Sequence, residues 1–107
     1  NVSEWIRKNL PDSSSGFLVT DLDWIFFNYK TKKVMLLEVK TRGAEIKYWQ
    51  KSLFNALDRW IKKGIDAGWQ YLGFSVLRLS HDKIENSILL LDNNPITEDE
   101  LKKILSF

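Results

Sequence analysis

The chain has 107 residues, of which 44% are hydrophobic and 28% charged, and its formal net charge is +2. This length suits a single domain, residues 1 to 107, with a real core and no room for a second domain. The absence of cysteine excludes disulfides, zinc–thiolate sites and thiol nucleophiles. No apolar run is long enough to span a membrane and no signal peptide is visible, so we expect an intracellular protein without a membrane partner.

The first part of the chain predicts one helix and a long extended segment. Residues 2 to 10 have the apolar spacing of a helix, which Pro11 should end. Residues 16 to 20 begin an extended segment that continues through residues 21 to 29. Both faces of that second stretch are largely apolar beyond Asp23, which predicts a central strand covered on both sides.

The next strand carries charged residues directly after an apolar run. It contains the sequence MLLEVKT, residues 35 to 41, and follows a basic turn at residues 30 to 33. Because side chains alternate along a strand, Glu38 and Lys40 share one face. A charge at the edge of the core is costly unless it is paired or binds a metal. Asp23 and Glu38 converging with a lysine at the mouth of a buried sheet would suit metal-assisted phosphodiester chemistry.

The remaining chain alternates between helix and strand. Apolar residues recur every three or four positions from 46 to 61, which predicts an amphipathic helix. A right-handed crossover would place the next strand, residues 69 to 81, parallel to the strand of Glu38. A further strand at residues 87 to 92 and a break precede a final helix that Thr97 caps. The predicted fold class is α/β, a layered domain with a central mixed sheet and the order α-β-β-β-α-β-β-α.

An aspartate that opens one strand, with Glu-x-Lys closing the next, resembles the PD-(D/E)xK nuclease superfamily, which includes restriction-endonuclease-like and archaeal Holliday-junction-resolvase-like proteins. Asp23 and residues 38 to 40 carry this resemblance, which extends over residues 2 to 65. Members often have a glutamine on the following helix, where Gln50 stands here. They often have an acidic residue in the first helix, where Glu4 stands. The resemblance implies a restriction-endonuclease-like fold.

The resemblance also implies an activity, that of a Mg²⁺-dependent deoxyribonuclease, with an endonuclease favoured over an exonuclease. Asp23 and Glu38 would hold Mg²⁺, for which Mn²⁺ should be able to substitute, and the backbone carbonyl of Val39 would add a third ligand. Lys40 would orient or activate the attacking water and offset charge in the transition state. Gln50 would complete the catalytic set by holding that water or Lys40.

Three basic residues near this site, Arg42, Lys47 and Lys51, are candidates for contacts with a phosphate backbone, so DNA is the expected partner. Cutting both strands would require a homodimer of so small a domain. Two alternatives stay open: a catalytically silent nucleic-acid-binding or assembly module on the same fold, and an unrelated interaction domain. Asp21 is either a metal ligand or a strand-start cap, and Glu4 is either a site residue or an acid that faces the helix dipole.

Overall fold

The computed structural model describes all residues from 1 to 107. Its three α-helices are α1 (Val2–Asn9), α2 (Tyr48–Gly64) and α3 (Glu98–Leu105). Its strands are β1 (Trp24–Asn28), β2 (Lys33–Thr41), β3 (Gln70–Leu79), β4 (Leu89–Leu91) and β5 (Asn94–Ile96). Two short 3-10 helices occupy Ser13–Ser15 and Ile84–Asn86. None of the α-helices combines the length and the apolar character that crossing a membrane requires.

The predicted α/β class with a central mixed sheet is confirmed, but the predicted element order is wrong. The observed order is α-β-β-α-β-β-β-α. Residues 16 to 20 form no strand, because β1 lies at the edge of the sheet and no further strand pairs with it. The expected break before Thr97 is instead a tight hairpin, in which Asp92 and Asn93 adopt positive φ angles of 50° and 68°. Pro95 is tolerated there because β5 is the other edge strand.

The sheet has the spatial order β1-β2-β3-β4-β5. Strands β2 and β3 are parallel and are connected through α2, as the crossover argument predicted, and the other neighbours are antiparallel. The prediction of a central strand covered on both sides at residues 21 to 29 is wrong. Trp24 is 59% exposed, Ile25 64% and Phe27 62%. A strand that is apolar on both faces has the same sequence pattern whether the fold covers it or leaves it open.

Helices cover both faces of the sheet. On one face, α3 inserts Leu101 into a cluster of buried aliphatic residues: Met35, Leu37, Leu77, Leu79 and Leu89. On the other face, α2 inserts Phe54, which is 1% exposed, against Phe74 of β3 with ring centroids 4.9 Å apart. Because side chains alternate along β2, Leu36 and Glu38 belong to this second face. The candidate site therefore lies on the α2 side of the sheet.

A hydrogen-bonded carboxylate fixes α2 on β3. Strand β3 carries a bulge near Gly73, whose φ is 101°. Asp58 of α2 accepts hydrogen bonds from the Tyr71 hydroxyl at 2.9 Å and from the Phe74 backbone N–H at 3.2 Å, on either side of the bulge. Burial opposes ionisation of Asp58, but hydrogen bonds from Lys62 and Tyr71 outweigh it and lower the pKa of the carboxyl. The ionised carboxylate thus sets the position of the helix over the sheet.

Candidate functional site

Asp23 and Glu38 face each other where β1 begins beside β2. Trp24 pairs with Leu37 in the antiparallel register, so the preceding Asp23 stands opposite Glu38. The backbone N–H of Asp23 donates to Glu38 Oε1 at 3.1 Å, and the backbone N–H of Val39 donates to Asp23 Oδ2 at 2.8 Å. Each of the two residues or its strand neighbour therefore donates to the carboxylate of the other, which fixes both side chains on one face of the sheet.

Glu38 is an unusual residue because it carries an ionisable carboxyl group and is only 3% exposed. Burial raises the pKa of Glu38, and the neighbouring Asp23 carboxyl raises it further through a side-chain hydrogen bond and charge repulsion, whereas Lys40 acts in the opposite direction. A divalent cation beside Asp23 would favour the ionised form of Glu38, since metal ligands bind in their deprotonated form.

Lys40 lies beside the Asp23–Glu38 carboxyl pair. Its Nζ lies 3.5 Å from Glu38 Oε2, and its side chain is 19% exposed. Because it is two residues from Glu38 in the same strand, it points to the same face. The structure therefore brings Asp23, Glu38 and Lys40 together at one point, at the end of a buried strand.

The donor set around these carboxylates consists of oxygen atoms. The N–H and carbonyl of one strand residue point to the same side, so the Val39 carbonyl faces the β1 edge of β2, where its N–H meets Asp23. No group of three or more His, Cys, Asp or Glu side chains is arranged to hold a metal ion. Two carboxylates with a carbonyl and water match Mg²⁺, which usually takes one or two carboxylates and keeps several waters. These residues fit a hard divalent cation.

Gln50 hydrogen-bonds to the segment before Asp23 and not to Lys40. Its Nε2 donates to Thr20 Oγ1 at 2.9 Å, and its Oε1 accepts from the Lys47 backbone N–H at 3.3 Å in the first turn of α2. Gln50 therefore ties the helix to the segment that leads into Asp23. No sequence motif pointed to Thr20, because its role depends on a residue thirty positions away.

The two acidic residues whose roles were open lie in different places. Asp21 lines a cavity of about 550 Å³ together with Thr20, Gln50 and residues of α1. Glu4 lies in the first turn of α1, where its carboxylate is 3.8 Å from the amino group of Asn1. The structure thus places Asp21 in the segment that leads into Asp23, whereas Glu4 contacts the N-terminus of its own helix.

The three predicted basic residues are all exposed, with different neighbours. Arg42 forms an ion pair with Asp82. Lys47 precedes α2, and Lys51 lines a cavity of about 260 Å³ together with Arg78. Sequence reasoning missed Arg78, which pairs directly with Lys40 across β2 and β3. Only the strand register, which was not assigned from the sequence, could have placed these two cations side by side.

Comparison with known proteins gives little further information. No family model matches the chain. No solved structure matches it. It is 28% identical over 81 residues, or 75% of its length, to an uncharacterized protein from Archaeoglobus fulgidus. The matched segment spans 56% of that relative. The class defined by the structure is therefore a mixed α/β domain with a carboxylate–lysine cluster, and any activity has to be argued from that cluster.

Proposed function

We propose that this protein is a Mg²⁺-dependent nuclease of the PD-(D/E)xK type that hydrolyses phosphodiester bonds of DNA. The observation that carries this proposal is the Asp23–Glu38 carboxyl pair, held by reciprocal backbone hydrogen bonds with Lys40 beside it. A buried glutamate with a raised pKa, next to a second carboxyl, is a costly arrangement for stability alone. Clusters of this kind concentrate at functional sites.

The arrangement of strands supports the same proposal. The aspartate directly precedes β1, the Glu-x-Lys lies on the neighbouring β2 of the same hairpin, and α2 connects β2 to a parallel β3. This is the core layout that the resemblance to restriction-endonuclease-like proteins implies. The segment before β1 differs, since it contains no regular strand. In place of strand pairing, the hydrogen bond between Gln50 and Thr20 holds this segment, and the Val39 N–H holds the Asp23 carboxylate.

Asp23, Glu38 and the Val39 carbonyl would hold the cation, and Mn²⁺ should be able to replace Mg²⁺. A bound Mg²⁺ supplies a Lewis acid that polarises the phosphate and lowers the pKa of coordinated water. The Asp23 carboxylate keeps one oxygen engaged by the Val39 N–H, which fixes the direction of the other. Because a ligand carboxyl binds a cation in its ionised form and the pKa of Glu38 is raised, cation affinity should rise with pH.

Lys40 is placed to act on the water or the phosphate. Its ammonium has three donors, and the structure uses one approach, toward Glu38. The others can hold an attacking water and offset the charge that develops on the phosphate oxygens. Gln50 acts indirectly, because its bond to Thr20 holds the segment that carries Asp23. We therefore assign Gln50 a positioning role and keep Lys40 as the catalytic side chain.

The test is a cleavage assay on plasmid, linear, single-stranded and branched DNA with Mg²⁺ or Mn²⁺. The wild type should cut at least one of these substrates, and Lys40→Ala should cut it about 10²- to 10⁴-fold more slowly, the usual contribution of a proton-transferring group. Lys102→Ala, on the exposed surface of α3, is the matched control and should cut at the wild-type rate. Nicked rather than linear plasmid products would indicate a monomer, whereas linear products would indicate a homodimer.

One observation favours a silent DNA-binding module instead. Every buried side-chain nitrogen and oxygen already has a hydrogen-bond partner, so the Glu38–Lys40 pair is satisfied without a cation. Such a module would bind DNA in a salt-dependent way and cut none of the four substrates with either metal. That outcome, or equal cleavage by the wild type and Lys40→Ala, would rule out the nuclease proposal.

A further inference from the structure

Two cationic side chains lie next to each other on the α2 face of the sheet. Lys40 of β2 and Arg78 of β3 are direct partners in the parallel register. Neighbouring strands are about 4.8 Å apart, so the two side chains leave the sheet within reach of a common ligand. Lys40 belongs to the carboxylate cluster, which places Arg78 at the border of the proposed active site.

A cavity of about 300 Å³ opens between these cations and the loop that follows β2. Lys40, Arg78 and Ser80 line it together with the apolar residues Leu79, Ile88 and Leu90, and Gly43 to Glu45 form one wall. This volume lies at the lower end of the range for small-ligand sites and is sufficient for a phosphate with its attached sugar.

Arg78 is oriented before any ligand arrives. One guanidinium nitrogen donates to the Ala44 carbonyl at 3.1 Å, and another lies 3.2 Å from Glu45 Oε2. The Arg78 side chain is 25% exposed, whereas that of Glu45 is 79% exposed. Ion pairs with so exposed a carboxylate are weak. A phosphate could therefore displace Glu45 and find the guanidinium already held in place, with little ordering cost.

We propose that Arg78, next to the catalytic Lys40, binds an internal phosphate of the nucleic-acid backbone beside the scissile bond, and that the Glu45 carboxylate forms an ion pair with Arg78 until DNA binds. This inference rests on the proposed nuclease function. It adds one phosphate contact that is unrelated to cation binding, and it makes Glu45 a competitor of the substrate.

The test measures the affinity of a fluorescent DNA duplex in EDTA, so that no cleavage occurs, over a series of salt concentrations. Arg78→Ala should weaken binding roughly tenfold, as expected for a charge-assisted hydrogen bond. It should also reduce the slope of the logarithm of the binding constant against the logarithm of the salt concentration by about one. Arg78→Lys should restore the slope but only part of the affinity, because lysine lacks the planar fork. Arg59→Ala, an exposed arginine in the second half of α2, is the matched control and should bind like the wild type.

Glu45→Gln should tighten binding about two- to fivefold, the value of an exposed ion pair. The gain should vanish when Arg78→Ala is present, which separates competition for Arg78 from general charge repulsion. A gain that persists in the double variant, or Arg78→Ala binding like Arg59→Ala, would overturn the inference. Loss of binding when terminal phosphates are removed from the duplex would overturn the assignment to an internal phosphate. Cleavage that depends on Lys40 while Arg78 variants bind normally would refute this inference and leave the nuclease proposal standing.

Discussion

Replacement of Asp58 by alanine should destabilise the protein strongly, because one carboxylate holds α2 onto β3. The change removes the acceptor of the Tyr71 hydroxyl and of the Phe74 backbone N–H. Each partly buried donor left without a partner costs about 1–3 kcal/mol. The lost pair with the exposed Lys62 adds only about 0.3–0.5 kcal/mol. Together these losses should lower the free energy of unfolding by about 3 kcal/mol.

Thermal and urea unfolding followed by circular dichroism would measure this loss. A domain of about this size loses roughly 4 °C in Tm per kcal/mol, so Asp58→Ala should melt about 12 °C below the wild type. Tyr71→Phe removes a single donor and should cost about 1 kcal/mol, or about 4 °C. The double variant should cost less than the sum, because both substitutions break the same hydrogen bond.

A Tm for Asp58→Ala equal to that of Tyr71→Phe would refute this reasoning, since the Phe74 N–H would then need no acceptor. Additive effects in the double variant would likewise show that the hydroxyl and the carboxylate do not interact. Asp58→Asn keeps an oxygen acceptor without the charge. It should therefore fall between the wild type and Asp58→Ala.

Three further predictions concern the carboxyl pair and the core. Without metal, the free energy of unfolding of the wild type should fall as pH rises from 4.5 through the raised pKa of Glu38, because the folded state binds this proton more tightly than the unfolded state. Urea titrations at several pH values would measure this fall. Glu38→Gln should not show it and should be more stable than the wild type at neutral pH. Mg²⁺ at 100 times its Kd should stabilise the wild type by about 2.7 kcal/mol, seen as a Tm rise of about 10 °C, and should not shift Asp23→Asn or Glu38→Gln. Phe54→Ala should cost about 3–5 kcal/mol in urea unfolding, since it empties a buried contact with Phe74.

Local chemistry made several elements predictable from the sequence. The Thr97 hydroxyl and the Glu100 carboxylate form the expected capping box of α3. Alternation along β2 correctly put Glu38 and Lys40 on one face, where they form an ion pair. The crossover rule gave the parallel pairing of β2 with β3. Each of these inferences depends on residues close in sequence or on a general rule of handedness.

The errors concern partners that are distant in sequence. β1 was expected to be central because its residues are apolar on both faces, yet nothing in that pattern says how many strands lie beyond it. The sequence predicts Gln50 in the first turn of α2, where it lies, but it does not indicate the hydrogen bond to Thr20, thirty residues away. Arg78 was missed because its neighbour is set by the register of two strands separated by a whole helix.

The uncovered edge of β1 has a consequence for how this molecule behaves in concentrated solution. Ile25 and Phe27 are exposed, and Phe27 contacts only the neighbouring Trp69 ring among aromatic residues. An apolar outer strand free of lysine and proline invites a strand from another molecule to hydrogen-bond alongside it. Pairing between molecules would therefore begin at the edge strand β1. It would not begin at the other edge strand, β5, because one of its three residues is Pro95, which has no backbone N–H to donate. A lysine in place of the exposed Ile25 would oppose such pairing by its charge and would leave the buried core unchanged.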